Sequence, residues 1–319
     1  MNGEPLVLLD QRPGWEAGAP WVIESGRRRT GCEDARRIEE IRAGLTAEGG
    51  ALVEGADVPD CELRRVLHRV HDLDYLQALA GAGPDPVMLA DWAAPGMSAD
   101  TPVASRLVAD ARESVRTAIA AAHRTLAGEP VAYALCRPPG HHAGPSWLGG
   151  YCYFNNAAAA VCTLHEGLVP RVGVLDLDLH YPNGTAALAS RQRLVALHSL
   201  HAWPAVNAPD GRVVPASPHE REFEFAEPPT VERYLDALGT SLELLGPNVD
   251  VLVVSLGYDI VEGDPHGCWT LPPAVFEPIG EMLAGSGLPL CIVQEGGYAL
   301  ERLADCAGMF ARGLLGRAR

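Results

Sequence analysis

The 319-residue chain contains no lysine, and all 25 of its basic residues are arginine. Set against 41 acidic residues, this leaves a formal net charge of −16. The balance argues against nucleic acid, whose phosphates require a basic surface. It suits a cationic substrate, which an acidic field attracts. No run reaches the roughly 18 uncharged apolar residues of a membrane-spanning helix. The opening MNGEPLVLLDQRPGWE has neither a basic start nor a long apolar run, so no secretory signal is expected. These absences point to a cytoplasmic protein without a membrane partner. The eight cysteines include no C-x-x-C pair, and most sit inside apolar runs. They read as reduced core thiols, neither a disulfide framework nor a four-cysteine zinc site. Internal repeats and low-complexity tracts are also absent.

What is present is a large apolar fraction, 47%, enough for a sizeable core in one domain spanning 1–319. Four short apolar runs read as buried strands: 130–136 (PVAYALC), 171–177 (RVGVLDL), 249–256 (VDVLVVSL) and 289–293 (PLCIV). Periodic stretches at 103–126, 155–166, 230–245, 275–284 and 300–315 read as helices. Strands alternating with helices predict an α/β fold, a three-layer α/β/α arrangement around a mostly parallel open sheet. Segments 44–60, 80–100 and 202–229 read as loops. Ligands of such sheets bind beyond the carboxyl ends of the strands, and all four strand ends carry polar, glycine-rich segments: 137–156, 176–185, 257–267 and 294–298.

Asp178 and His180 stand two residues apart at one of these ends, so alternation puts both side chains on one side, with Asp176 a step earlier. Asp259 follows the neighbouring strand at a comparable place. One histidine and two carboxylates make a three-ligand set with a position left for water, as catalytic zinc requires. His141 and His142 follow Pro138-Pro139-Gly140, a rigid turn that can present two imidazoles together, and imidazole is the group best matched to proton transfer near neutral pH. Tyr298 follows Gly296-Gly297, where a phenol can donate to a carbonyl oxygen as negative charge develops.

Taken together, RPPGHHA (137–143), GGYCYFNNAA (149–158), DLDLH with NGT (176–185), HSLH (198–201), SLGYD with DP (255–265) and EGGY (295–298) resemble the histone deacetylase superfamily, of arginase/deacetylase fold. Within it the chain looks most like the acetylpolyamine amidohydrolases. The resemblance implies zinc on Asp178, His180 and Asp259. It implies His142 as general base and then acid, and His141 as electrostatic partner buttressed by Asp176. Asn183 would bond His142, and Tyr298 would polarise the acetyl carbonyl. Tyr151, with Gly150 and Asp100, would line the tunnel for the acetylated amine. A structural potassium ion is implied at Asp176, Asp178, His180, Ser199 and Leu200. A homodimer is a further implication.

The chain also departs from the family pattern. His180 is followed by Tyr181-Pro182 where His-Gly is usual. GCEDARRI (31–38) replaces an N-terminal motif of many relatives, and AWPAVNAPDGR (202–212) lacks an aromatic tunnel residue. These bear on the substrate, for which a small acetylated amine is expected and a protein lysine deacetylase is the alternative. A two-manganese ureohydrolase would need further Asp and His ligands. A binding protein that has lost catalysis would not need Tyr298.

Overall fold

The computed structural model describes residues 6–10, 21–24, 27–53, 57–94, 101–202 and 220–316. In chain order their regular elements are β1 (Val7–Leu9), β2 (Val22–Glu24), β3 (Arg27–Arg29), α1 (Arg36–Ala47), β4 (Ala51–Val53), α2 (Asp60–Val70), α3 (Leu73–Ala80), α4 (Ser105–Leu126), β5 (Val131–Ala134), α5 (Asn156–Glu166), β6 (Val172–Asp176), α6 (Asn183–Leu188), β7 (Ala196–Ala202), β8 (Glu220–Phe225), α7 (Val231–Leu245), β9 (Val251–Leu256), α8 (Phe276–Gly285), β10 (Leu290–Gln294) and α9 (Leu300–Leu315). All but β2 and β3, which form a separate antiparallel ribbon, have their strands in one sheet of order β4-β1-β5-β10-β9-β6-β7-β8. Every pair in that sheet is parallel.

Parallel strands are covered on both faces, and side-chain alternation divides the core accordingly. Ala132 and Ala134 of β5, Val251 and Val253 of β9, and Cys291 and Val293 of β10 face a cluster completed by α2 to α6. Their neighbours Val131, Tyr133, Leu252, Val254, Leu290 and Ile292 face the opposite cluster, completed by α1, α7, α8 and α9. This is the three-layer architecture read from the strand and helix pattern. Helix starts fall one residue inside two of the expected ranges because the first residue is the cap. The Asn155 side chain accepts the Ala158 N–H and that of Thr230 accepts the Arg233 N–H, satisfying backbone donors that have no partner within the helix.

The order of the sheet positions the site. The chain runs from β5 to β6, and β9 and β10 later fill the gap between them. The four polar strand ends found in the sequence therefore lie side by side, in the order β5, β10, β9, β6.

All three segments expected as loops contain regular structure, 80–100 only the last residue of α3 and a 3-10 turn at Ala90–Trp92. Segment 44–60 holds the end of α1, all of β4 and the first residue of α2, and 202–229 holds β8. β4 is only three residues long and borders the sheet, too short for a period to register. β8 reads EREFEF, a half-exposed edge strand whose charge obscures its alternation. β1 and β7 were not anticipated either. β7 is buried throughout, yet its ALHSLHA carries two histidines and a serine where an apolar run would be expected.

His71, just beyond α2, fastens the 137–156 segment to this frame. Its Nδ1 lies 2.8 Å from the Gly144 carbonyl oxygen, and its Nε2 accepts the Asn155 N–H at 3.1 Å. Both contacts are satisfied by the neutral ring, with Nδ1–H donating. Burial pushes its pKa down to about 4 from 6.5. The folded ring stays neutral while the unfolded one protonates below about pH 6.5, so its stabilisation is present at neutral pH and is lost as pH falls from 6.5 towards 4. We expect unfolding free energy to fall on going from pH 7 to pH 4.5, with about 2 kcal/mol of the loss due to this residue. Denaturant titrations of the wild type and His71→Gln at both pH values check this: the variant should show the smaller pH dependence, and equal dependence would refute it.

Candidate active site

β6 ends at Asp176, so the residues beyond it are aligned by side-chain hydrogen bonds more than by strand geometry. The Asp178 N–H donates to Asp176 Oδ1 at 3.1 Å, and the His180 N–H to Asp178 Oδ1 at 2.9 Å. Asp259 arrives from the end of the adjacent β9. Backbone donors from across the sheet anchor the second oxygen of Asp178 and one oxygen of Asp259: Asp178 Oδ2 accepts the Gly296 N–H at 2.9 Å, and Asp259 Oδ1 accepts the Leu179 N–H at 3.0 Å. The remaining oxygens, Asp178 Oδ1 and Asp259 Oδ2, each lie 3.1 Å from His180 Nδ1.

Both carboxyl groups are buried. Burial and then the charge of Asp178 raise the pKa of Asp259 to about 7. Two buried carboxylates sharing one imidazole form a negative pocket that a divalent cation offsets. One nitrogen and two oxygen donors suit zinc, and they leave coordination positions for reactants. The donor chemistry therefore fits the metal that the sequence pattern implies.

Space for this convergence comes from two glycines. A Cβ on Gly257 would lie 2.4 Å from Asp178 Oδ2 and 2.6 Å from Asp259 Oδ1, and one on Gly296 would lie 2.6 Å and 2.7 Å from the Oδ2 atoms of Asp178 and Asp259. The carboxylates can meet only because these strand ends have no side chain.

The two histidines of the 137–142 turn have rings in contact, with centroids 4.0 Å apart and planes tilted by 43°, and opposite surroundings. His141 Nδ1 faces Asp176 Oδ2 at 3.3 Å. Burial opposes its charge, but Asp178 and Asp176 outweigh burial and raise its pKa to about 10. His142 Nδ1 instead meets the neutral amide oxygen of Asn183 at 2.8 Å. Burial and then the neighbouring charges of His141 and His180 push its pKa well below 6.5. The ring of His142 stands 5.9 Å from that of His180, beside the three converging donors.

Tyr298 is buried, packs 5.6 Å from the ring of Tyr151, and stays protonated because burial pushes its pKa well up. Tyr151 takes a positive φ of 67°, after Gly150 at 54°. That strained backbone turns its phenol toward Tyr298 and His266. Of the residues expected at the site, Asp176, Asp178, His180, Asp259, His141, His142, Asn183, Gly150, Tyr151 and Tyr298 come together. Ser199 and Leu200 lie on β7, where Ser199 pairs in register with Asp176. Asp100 lies outside the described residues.

Several contributors were not singled out in the sequence. Glu295 is buried, and its Oε2 accepts the N–H groups of Gly140 at 2.6 Å and His141 at 3.1 Å, fixing the histidine turn. Asp264 Oδ2 accepts the N–H groups of Tyr298 at 2.6 Å and Ala299 at 3.1 Å. Arg37 lies 4.3 Å over the Tyr298 ring and donates to the carbonyls of Gly297 and Glu295 at 2.5 and 2.7 Å. His266 Nε2 stands 3.1 Å from the Tyr151 hydroxyl. Glu295 and Asp264 lay inside recognised motifs, EGGY and DP, without an assigned task. Arg37 lay in 31–38, where the chain departs from the family pattern.

Residues 31–314 match the family model of the histone deacetylase domain. Acetylpolyamine amidohydrolase 1 of Pseudomonas aeruginosa is 31% identical over 297 residues, covering 80% of this chain and 84% of the relative. Histone deacetylase 8 of Arabidopsis thaliana is 34% identical over 215 residues, covering 58% and 54% of the two chains. The crystal structure of an acetylpolyamine aminohydrolase from Burkholderia pseudomallei superposes with a TM-score of 0.85 at 29% identity, covering 97% of this chain and 98% of that one.

Gly257→Ala places a methyl group against both converging carboxylates. We expect it to weaken metal affinity by about 10- to 100-fold with a far-ultraviolet circular dichroism spectrum like that of the wild type. Zinc titration against a chelating indicator checks this, and unchanged affinity would contradict it.

Proposed function

The chain belongs to the histone deacetylase domain family and is a deacetylase of that family; on that premise we propose that residues 1–319 act as one catalytic domain that hydrolyses the N-acetyl amide of a small aliphatic amine, releasing acetate. The observation that carries the chemistry is the convergence of Asp178, His180 and Asp259 beside a neutral His142 and the Tyr298 phenol. The substrate class is supported by the similarity to acetylpolyamine amidohydrolases and by the net charge of −16, which favours a polycationic molecule.

Zinc would be held by Asp178, His180 and Asp259, and when bound it supplies Lewis acidity to the amide carbonyl and to an attacking water. Tyr298 donates its hydroxyl hydrogen to the carbonyl oxygen as that oxygen takes up negative charge. Its N–H bond to Asp264 and the Arg37 guanidinium over its ring hold it in place. His142 takes the proton of the attacking water. Asn183 accepts the Nδ1–H, which leaves Nε2 as the basic nitrogen, and a neutral amide partner leaves the ring uncharged until that transfer. His142 then gives the proton to the departing amine. His141, kept charged by Asp176 and Asp178, stays an electrostatic partner, because a ring already protonated cannot accept that proton. Tyr151 and Gly150 would border the chain of the substrate. A structural potassium ion would be held by Asp176, backbone oxygens of Asp178, His180 and Leu200, and Ser199.

Tyr298→Phe is expected to retain zinc and lose about 10²- to 10³-fold in kcat, as measured by acetate release. For the substrate, kcat/KM on N-acetylated polyamines should exceed that on acetyl-lysine peptides. Equal or faster turnover of the peptides would identify a protein lysine deacetylase, and zinc-loaded protein without amidase activity on either would identify a binding protein.

A further inference from the structure

β7 and β8 carry a second group of metal-ligating side chains. Their register pairs Ser199 with Glu222 and His201 with Glu224, so these four side chains share one face of the sheet. One donor atom from each of His201, Glu222 and Glu224 lies within 4.8 Å of the others. None of these residues belongs to the catalytic set or to the potassium set.

An acidic edge strand alone has an ordinary explanation, since charge discourages edge-to-edge pairing. His201 is what distinguishes this one. It is completely buried, and its Nε2 has no hydrogen-bond partner. Its Nδ1 is engaged by Ser199 Oγ at 2.9 Å. With Nδ1–H donating to the serine, the Nε2 lone pair faces Glu224, whose Oε1 stands 4.0 Å away. Glu222 Oε1 is likewise buried without a partner. Burial and then the charge of Glu220 raise the Glu222 pKa to about 8, and a hydrogen bond to Glu224 adds to that rise. The two acids thus hold a proton that a cation can replace, while His201 Nε2 and Glu222 Oε1, buried polar atoms left unpaired, are costly. A cation between them removes both penalties. The second ring nitrogen of a metal-binding histidine is ordinarily held by an outer hydrogen bond, as Ser199 provides here.

We propose that His201 Nε2, Glu222 and Glu224 form a second cation site, taking a divalent first-row metal such as zinc. Imidazole with carboxylates is a zinc-type donor set, with bonds of about 2.0–2.2 Å that put neighbouring donors roughly 3.3 Å apart. The present spread of up to 4.8 Å needs only a small contraction, and the side chain of Glu224, one third exposed, can supply it. Tyr181 links this site to the catalytic one. Its ring packs 5.1 Å from that of His201, and its hydroxyl donates to Glu220 Oε1 at 2.7 Å. It directly follows the ligand His180. The departure from the family at this position thus has a partner on β8, and a metal at β7–β8 would brace the wall of the catalytic site.

The test is zinc content by elemental analysis after dialysis against dilute zinc chloride. Wild type should carry two zinc ions per chain, Glu222→Gln/Glu224→Gln one, and Asp259→Asn one. A Glu222→Gln/Glu224→Gln variant that carries as much zinc as the wild type, or an Asp259→Asn variant that carries none, overturns the proposal. The Asp259→Asn arm reports on the catalytic site alone, so failure of that reading is seen separately. Should the double variant not fold, zinc-edge anomalous diffraction from wild-type crystals decides the matter. A second peak beside His201 Nε2 supports the site, and a single peak at Asp178, His180 and Asp259 refutes it.

Discussion

Two buried carboxylates, Asp178 and Asp259, are brought to within 3.1 Å of one imidazole nitrogen, and much of the architecture serves that convergence. Desolvating each charge costs several kcal/mol before any compensation. The fold offsets part of that cost with backbone donors, one N–H from Leu179 and one from Gly296. It places those donors by setting β9 and β10 between β5 and β6. It leaves room with Gly257 and Gly296, where any side chain would collide with the acids. Local motifs supply the groups, and the strand order supplies their meeting.

The same economy explains how adjacent histidines acquire different tasks. His141 and His142 share a turn, held by the bond from their backbone to Glu295, and their rings are in contact. What separates them is the partner of each Nδ1: a carboxylate in one case, a neutral amide in the other. The carboxylate stabilises the imidazolium, while the amide fixes a tautomer without stabilising charge. A charged His141 also disfavours a second positive charge next door, which helps keep His142 neutral. The asymmetry belongs to the pair and to Asp176 and Asn183 jointly.

The chemistry was legible in the sequence because it is carried by residues that follow apolar strands. Four strands, five helices and the placing of Asp178, His180, Asp259, His141, His142 and Tyr298 at neighbouring strand ends all follow from that arrangement. The parts that were not legible share a physical cause. β7 carries His198, Ser199 and His201 within a buried strand, so its polar residues hide the apolar run that betrays β5 or β9. β8 alternates phenylalanine with glutamate, and only pairing with β7 reveals which face each occupies. Arg37 is fully buried, and its place over Tyr298 spans some 260 residues of sequence separation. No local pattern encodes such a contact, and an arginine in a charged stretch reads as surface. The supporting residues Glu295 and Asp264 act through backbone N–H groups, which leave no trace in spacing.

The departures from the family lie where they leave the ligands alone. Tyr181 and Pro182 directly follow His180, yet the three donors still converge, because those donors are aligned by bonds from Asp176, Leu179 and Gly296 upstream and across the sheet. Pro182 becomes the residue preceding α6, a position where its missing N–H costs nothing. Tyr181 turns toward β8 and bonds Glu220. Substitution just beyond His180 thus changes what borders the site without disturbing the convergence of Asp178, His180 and Asp259. The three converging donors and the residues that border them are held by different contacts in this chain, which is why the first can be read from motifs while the second, among them Tyr151 against His266 and Tyr181 against β8, cannot.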